Sequence, residues 1–306
     1  MAVPLRQRGP AQAEDAGPRP RTAWHRLRQH KLAMAGLAFI IVLIIIAILA
    51  PVLAPADPNK QDLFARLAKP GTPFDELGEG TYWLGADQLG RDVLSRVIYG
   101  ARISLLVGFV AECIVLLIGV TLGALAGYYG GWVDRLIMRT ADVLFAFPDL
   151  LFAIAVMFAL GRGLLNLFIA LSVVGWAGMA RLARSQVLAL KERDFVEGAR
   201  AIGARDRRVL LTHILPNALG PIVVAVTLGI PGAIMSEASL SYLGLGVQPP
   251  TATWGAMIYE GRSYLRHAPW MSLAPGAMIM LTVLAFNLLG DGLRDALDPR
   301  SGRRGG

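Results

Sequence analysis

Six long apolar segments alternate with polar stretches along the chain, at residues 32–54, 103–128, 144–160, 164–180, 218–235 and 271–289. Each is close in length to the roughly 20 residues that an α-helix needs to cross a hydrocarbon core about 30 Å thick. Lipid offers no hydrogen-bond partner to backbone N–H and C=O groups, so a segment that crosses it must be helical. The pattern predicts an all-α, polytopic membrane protein with six transmembrane helices.

The composition agrees with a membrane protein, because 55% of the residues are hydrophobic, 17% are charged and the mean hydropathy is +0.52. The first apolar segment also fits a signal peptide, since basic residues precede it and Ala54-Pro55-Ala56 follows it. Its apolar run is longer than the roughly 7–15 residues of a signal-peptide core, which favours a retained helix. Cys113 is the only cysteine, which excludes an intramolecular disulfide and a cysteine-based metal site.

The distribution of basic residues orients the predicted helices. With the N-terminus inside, the inner segments carry more than twice as many Lys and Arg as the outer ones, which places both termini in the cytoplasm. Topology thus explains most of the formal charge of +8 and argues against nucleic acid as a partner. The predicted organisation is a cytoplasmic tail, a first helix with an external loop, a five-helix core and a second cytoplasmic tail, at 1–31, 32–99, 100–291 and 292–306.

Glycines recur every four residues along the second apolar segment, at Gly119, Gly123, Gly127 and Gly131. This spacing aligns them in one row of a helix, where another backbone can approach closely. The row predicts a helix-packing face. Packing within the chain and packing against another subunit both agree with it.

The predicted outer loop, residues 55–100, is polar and rich in Pro, Gly and acidic residues. Its first half reads as a solvated linker, and Tyr82 and Trp83 suit the aromatic belt of a membrane interface. From Asp92 onward, apolar residues alternate with Arg, which predicts a short helix lying along the membrane surface.

The predicted inner loop, residues 181–217, is basic and contains signals for two short helices. Asp194 can cap the first helix with Glu197 at its N3 position, and Gly203 supplies a stop. Small residues keep one surface of this helix bare: Gly198, Ala199 and Ala201. The second short helix is predicted over 206–213. The two helices form a knob that fits a groove on a cytoplasmic partner, and an unengaged loop is the alternative.

Polar residues within or beside the apolar segments are costly in lipid and are expected to face a cavity or a partner. They are Glu112, Asp149, Glu237, Asn287 and Asp291. Glu237, Glu112 and Asn287 are the candidates for the transport pathway or its gate. Glu237 leads, because the helix after Pro221 places it about 24 Å along the span. Structural pairing explains each residue equally well.

The inner loop resembles the "EAA" signature of ABC-importer permeases, whose pattern is E-A-A, three residues, G, nine residues and I-x-L-P. The positions that match are Glu197, Ala199, Gly203, Leu215 and Pro216. Gly198 replaces the first Ala of the signature, and His213 stands at its Ile, with Ile214 beside it. The resemblance implies that this loop couples the chain to an ATPase.

Three further segments resemble the C-type permease of dipeptide, oligopeptide and nickel importers. Residues 84–96 are similar to its L-G-T-D-x-x-G-R-D-x-x-S-R element, with Ala86 in place of Thr. Residues 239–250 and 288–299 look like the same subfamily. The four motifs occur in the family's order and extend the resemblance over nearly everything after residue 24, which implies a type I ABC-importer permease fold.

The resemblance implies a complex in the cytoplasmic membrane: a second, B-type permease as heterodimer partner, two cytoplasmic ATPases that bind ATP and Mg, and an external solute-binding protein. This chain is then a transport subunit that binds no cofactor or metal and catalyses no reaction. A P-loop needs Gly-Lys, and no Gly-Lys pair occurs here. A channel and an intramembrane enzyme are the alternatives from other classes. Dipeptides, oligopeptides, glutathione and nickel complexes all remain open as the solute.

Overall fold

The computed structural model describes residues 23–74 and 80–297. Its α-helices in these ranges are α1 (Ala23–Gln29), α2 (Lys31–Ile48), α3 (Ala50–Leu53), α4 (Val93–Tyr129), α5 (Gly131–Phe145), α6 (Asp149–Leu160), α7 (Leu164–Lys191), α8 (Asp194–Ala201), α9 (Asp206–Arg208), α10 (Leu215–Tyr242), α11 (Trp254–Gly261) and α12 (Trp270–Leu297). A small antiparallel sheet pairs β1 (Thr72–Pro73) with β2 (Thr81–Tyr82). The predicted tail at 1–31 lies mostly outside the described residues, and so does the end of the tail at 292–306.

Five of the six predicted spans are single long apolar helices: α2, α4, α7, α12 and the continuous stretch Asp206–Tyr242 that ends in α10. The third span is different, because α5 and α6 meet at an angle of 93° around Pro148. α6 has 12 residues and is about 18 Å long, so it cannot cross a 30 Å core alone. The all-α fold is therefore confirmed, with a broken third span.

The second span begins earlier than predicted. α4 runs for 37 residues from Val93, and the Asp92 carboxylate caps it by accepting a hydrogen bond from Ser95 N at 2.8 Å. The prediction of a separate surface helix after Asp92 was wrong, because Val93 and Val97 are buried in an apolar cluster with Met257 of α11. The predicted domain boundaries at 99 and 291 fall inside α4 and α12.

The glycine row of α4 lies against α7. A Cβ atom on Gly119 would come within 2.6 Å of Met179 Cβ, and one on Gly123 within 2.2 Å of Ala180 O. A Cβ on Gly127 would meet Arg184 O at 2.9 Å. The two backbones can therefore touch only because these positions lack a side chain. Gly131 was wrongly included in this row, since it starts α5 with φ +58° and nothing within 4 Å.

The described residues of the outer loop are folded and do not form a solvated linker. Asp62 is fully buried and accepts hydrogen bonds from Phe64 N and Ala65 N. Tyr82 is also fully buried and donates its hydroxyl hydrogen to Gly90 O at 3.1 Å. Tyr82 therefore does not belong to an aromatic belt, whereas its neighbour Trp83 is exposed.

The inner loop is shorter than predicted. α7 extends to Lys191, so the chain leaves helical structure only between α7 and α8 and again between α8 and α9. The predicted second short helix is wrong, because α9 continues through a π-helical segment, Val209–Ile214, directly into α10. The π segment precedes Pro216, which has no N–H to donate to the preceding turn.

Candidate functional site

α8 is a short helix whose inner face is anchored on the ends of three spans. Val196 is fully buried and Ala199 nearly so, which corrects the prediction that Ala199 stands on the bare surface. Val196 joins one apolar cluster with residues of α4, α7 and the π segment, including Tyr128, Val187 and Leu210. Packed side chains therefore connect α8 directly to these three spans.

Tyr128, at the end of α4, adds a polar anchor beneath this loop. Its hydroxyl donates to Asp206 Oδ1 at 2.6 Å, and its backbone oxygen accepts from Lys191 Nζ at 2.5 Å. The Arg200 guanidinium of α8 approaches the same hydroxyl at 3.5 Å and lies 5.6 Å from the ring centroid. Tyr128 thus contacts the chain before α8, α8 itself and the chain after it. The sequence pattern did not predict this role.

The C-terminus of α8 agrees with the prediction, whereas its N-terminus does not. The N-cap residue is Arg193, and Asp194 is the first helical residue, so the predicted Asp194 cap was wrong. Asp194 and Glu197 lie instead in the first turn, where negative charge favours the helix dipole. At the other end, Gly203 has φ +85°, Gly203 N donates to Arg200 O, and Ala204 N donates to Ala199 O. This is the glycine-terminated stop expected from the sequence.

The outer face of α8 carries apolar side chains without cover from the described residues. Ile202, the C-cap residue, is 87% exposed, and Phe195 in the first turn is also exposed. Gly198 is exposed between them, and a Cβ there would meet nothing within 4 Å. Leu215 and Pro216 lie in the first turn of α10, outside this face. Such a surface is typical of a site that another protein covers.

The three pathway candidates occupy different environments. Glu237 is fully buried inside the chain and accepts hydrogen bonds from Ser241 Oγ at 2.7 Å and Thr253 Oγ1 at 2.9 Å. It therefore ties α10 to the start of α11, and it does not line the cavity that contains Glu112. Asn287 is exposed on α12. Glu112 lines a cavity between α4, α6, α7 and α10.

A buried ion cluster at the opposite end of α4 comprises Asp87, Arg91, Arg96 and Glu260. Arg91 contacts Asp87 at 2.6 Å and Glu260 at 2.8 Å, and Arg96 contacts the same acids at 3.6 and 3.3 Å. The two arginines and two carboxylates balance in charge, as burial requires. The cluster joins the outer loop and α4 to α11.

This cluster was not predicted from the sequence, although the 84–96 element contains a charge pattern that points to it. The 84–96 element places two arginines and two aspartates in a short stretch, but Glu260 lies 164 residues beyond Arg96. Asp92, which caps α4, is buried beside it. Burial raises the pKa of the Asp92 carboxyl, and the hydrogen bonds from Ser95 oppose that rise.

Two family profiles match the chain. Residues 119–303 match the binding-protein-dependent transport system inner membrane component, which includes α8, α10 and the glycine row. Residues 20–70 match the N-terminal TM domain of oligopeptide transport permease C. Together the two matches extend over most of the chain.

Curated relatives are similar over almost the whole length. The dipeptide transport system permease protein DppC of Alkalihalophilus pseudofirmus is 45% identical over 280 residues, 92% of this chain and 90% of the relative. The glutathione transport system permease proteins GsiD of Pectobacterium atrosepticum and of Escherichia coli O6:K15:H31 are 48% and 50% identical, over 92% of this chain and 91% of each relative.

A solved structure of the MetNI methionine ABC transporter in inward-facing conformations has the same fold. Its matching chain aligns with a TM-score of 0.55 at 19% identity, over 66% of this chain and 96% of that chain. At this identity the likeness extends to the fold alone.

Proposed function

The chain belongs to the binding-protein-dependent transport system inner membrane components, as a multi-pass permease subunit of an ABC importer of the peptide family, and from this premise we propose its mode of action. It is a transport subunit and not an enzyme, and separate ATPase subunits hydrolyse ATP. The importer carries short peptides across the inner membrane, with α8 as the element that receives the force of ATP binding.

The complex needs four kinds of component. A B-type permease pairs with this chain around the pathway, two ATPases carry ATP and Mg beneath it, and a binding protein delivers solute from outside. Both termini and α8 lie on the cytoplasmic side, in agreement with the excess of Lys and Arg there. The glycine row serves packing within this subunit, since it is already occupied by α7.

The observation that carries the proposal is the two-sided construction of α8. Its inner face, with Ala199 and Val196, is packed on α4, α7 and the π segment, and its outer face offers Ile202 and Phe195. Glu197 places negative charge in the first turn of α8. Gly198 leaves the surface of the helix open, and Gly203 ends it. Docking of the outer face in an ATPase groove lets the closing ATPases move three spans as one unit. Leu215 and Pro216 begin the span that follows.

Replacing Ile202 with Asp tests this coupling. The side chain is 87% exposed in the single chain, so its loss has little effect on folding. Burial of an isoleucine in a groove contributes about 1.5–3 kcal/mol. We therefore expect the variant to bind the ATPase at least about tenfold more weakly. Co-purification of the ATPase and peptide uptake by proteoliposomes should fall together.

Leu63→Asp is the matched control, because Leu63 is also an exposed apolar residue but lies in the outer loop. It should leave ATPase association unchanged. An Ile202→Asp transporter with wild-type ATPase association and uptake would refute the assignment of α8 as the coupling element.

The solute is assigned as a short peptide, with dipeptides and the tripeptide glutathione as the two candidates that the relatives favour. Uptake of a labelled dipeptide by the complex with its binding protein, in competition with glutathione, distinguishes them. If neither compound is taken up in the presence of ATP and the binding protein, the peptide assignment fails.

A further inference from the structure

A cavity of about 360 Å³ lies between α4, α6, α7 and α10. Its polar side chains are Glu112, Asp149 and Ser236, and the remaining lining is apolar, with Gly175, Gly178, Gly229 and Gly232 among it. The lining as described contains no Lys, Arg or His. A cavity with two carboxylates and no basic group has a negative potential, which favours a cation.

Glu112 is the buried carboxylate of this cavity. Its side chain is only 7% exposed, yet it has no hydrogen-bond or ion-pair partner within residues 23–74 and 80–297. A charged group buried without a partner is strongly unfavourable, so such a residue indicates a missing counter-charge. Asp149, at the start of α6, is exposed and likewise has no partner in the described residues.

Gly229 of α10 provides the space that the Glu112 carboxylate occupies. A Cβ atom at Gly229 would lie 2.4 Å from both carboxylate oxygens, which is closer than any contact allows. The carboxylate thus lies directly against the backbone of Gly229, in space that a larger residue would fill. Its position depends on the glycine, and this gives a way to displace the charge without removing it.

We propose that this cavity binds the protonated amino group of the transported solute, with Glu112 accepting its hydrogen bonds and Asp149 adding negative potential at the rim. The inference rests on the proposed function, since a short peptide carries such an ammonium group. An ammonium presents three donors and pairs well with a carboxylate in a water-poor site. The cavity volume lies at the lower end of small-molecule sites, which suits the first residue of a peptide rather than a whole oligopeptide.

A single reporter thiol in the cavity tests the proposal in the complete transporter. Cys113 is the only cysteine of this chain and is exposed, so Cys113→Ala gives a permease chain without cysteine, and the same transporter without a reporter thiol corrects for labelling of the other subunits. Ser236→Cys then places a thiol in the lining of the cavity that contains Glu112, in a nearly isosteric substitution. Its rates of reaction with a cationic and an anionic methanethiosulfonate reagent report the local potential. Glu112→Gln should reduce the preference for the cationic reagent about tenfold, as expected for loss of a charge-assisted contact.

Protection by peptides identifies the ligand group. A dipeptide with a free amino group should slow labelling of the Ser236→Cys thiol, and the same dipeptide with an acetylated amino group should protect about tenfold less well. Glu112→Gln should abolish the difference between the two dipeptides, whereas Glu112→Asp should retain part of it. Gly229→Ala, which displaces the carboxylate, should behave like Glu112→Gln.

Two results would overturn the proposal. Equal protection by the free and acetylated dipeptides in the transporter that retains Glu112 would show that the amino group is not recognised here. A thiol that reacts with neither reagent, with or without nucleotide, would show that the cavity is closed to solutes in the assembled transporter. Dipeptide uptake by the parent transporter separates these outcomes from failure of the peptide function itself, because uptake should persist if only the cavity assignment is wrong.

Discussion

Glu260 supplies one of the two negative charges of the buried ion cluster, and Glu260→Gln removes that charge while keeping the size of the side chain. Arg91 and Arg96, which are 3% and 1% exposed, would then share Asp87 alone. Loss of one partner from a buried ion pair costs about 3–5 kcal/mol. Because Glu260 itself retains 14% exposure, we expect the lower value, about 3 kcal/mol.

The assay is thermal unfolding of the detergent-solubilised transporter, followed by fluorescence-detected size exclusion. For a chain of this size about 1 kcal/mol corresponds to roughly 2 °C, so the midpoint should fall by about 6 °C. Glu192→Gln is the matched control, since Glu192 is exposed at the end of α7 and should shift the midpoint by less than about 1 °C.

A double variant tests the charge argument directly. Arg91→Met with Glu260→Gln removes one charge of each sign and leaves Asp87 paired with Arg96. If charge imbalance causes the loss, the double variant should be more stable than the sum of the two single losses predicts. Additive losses, or a Glu260→Gln midpoint equal to wild type, would refute the reasoning.

Three further predictions address topology, the coupling loop and helix packing. Reporter fusions after Arg205 and Tyr259 should read cytoplasmic and external respectively, and an external reading at Arg205 would contradict ATPase docking. Gly203→Asp should reduce uptake and ATPase co-purification at normal membrane abundance, because φ +85° costs a non-glycine residue about 1–2 kcal/mol. Asparagine tolerates this conformation better, so Gly203→Asn should retain more uptake and more co-purification. Gly123→Val should abolish folded protein in size exclusion, since its Cβ would lie 2.2 Å from Ala180 O, whereas Gly178→Ala, with nothing within 4 Å, should express normally.

Part of the candidate site follows from local sequence and part does not. The stop at Gly203 was predictable, because a helix end with positive φ is a property of a few adjacent residues. The burial of Ala199 and the role of Tyr128 were not, because both depend on which span ends lie beneath α8. Glu237 led the pathway candidates by its depth along a helix, yet depth does not tell which way a side chain faces.

The sequence by itself determined the membrane class, the positions of the apolar segments and the subfamily motifs, since the exclusion of unpaired backbone from lipid acts on every segment separately. Tertiary structure decided which groups meet. It brought Glu260 of α11 to Arg91 and Arg96, and it placed Glu112 against Gly229 in a cavity. It also broke the third span between α5 and α6. These features depend on distances between helices far apart in the chain, and periodicity within one segment carries no information about such distances.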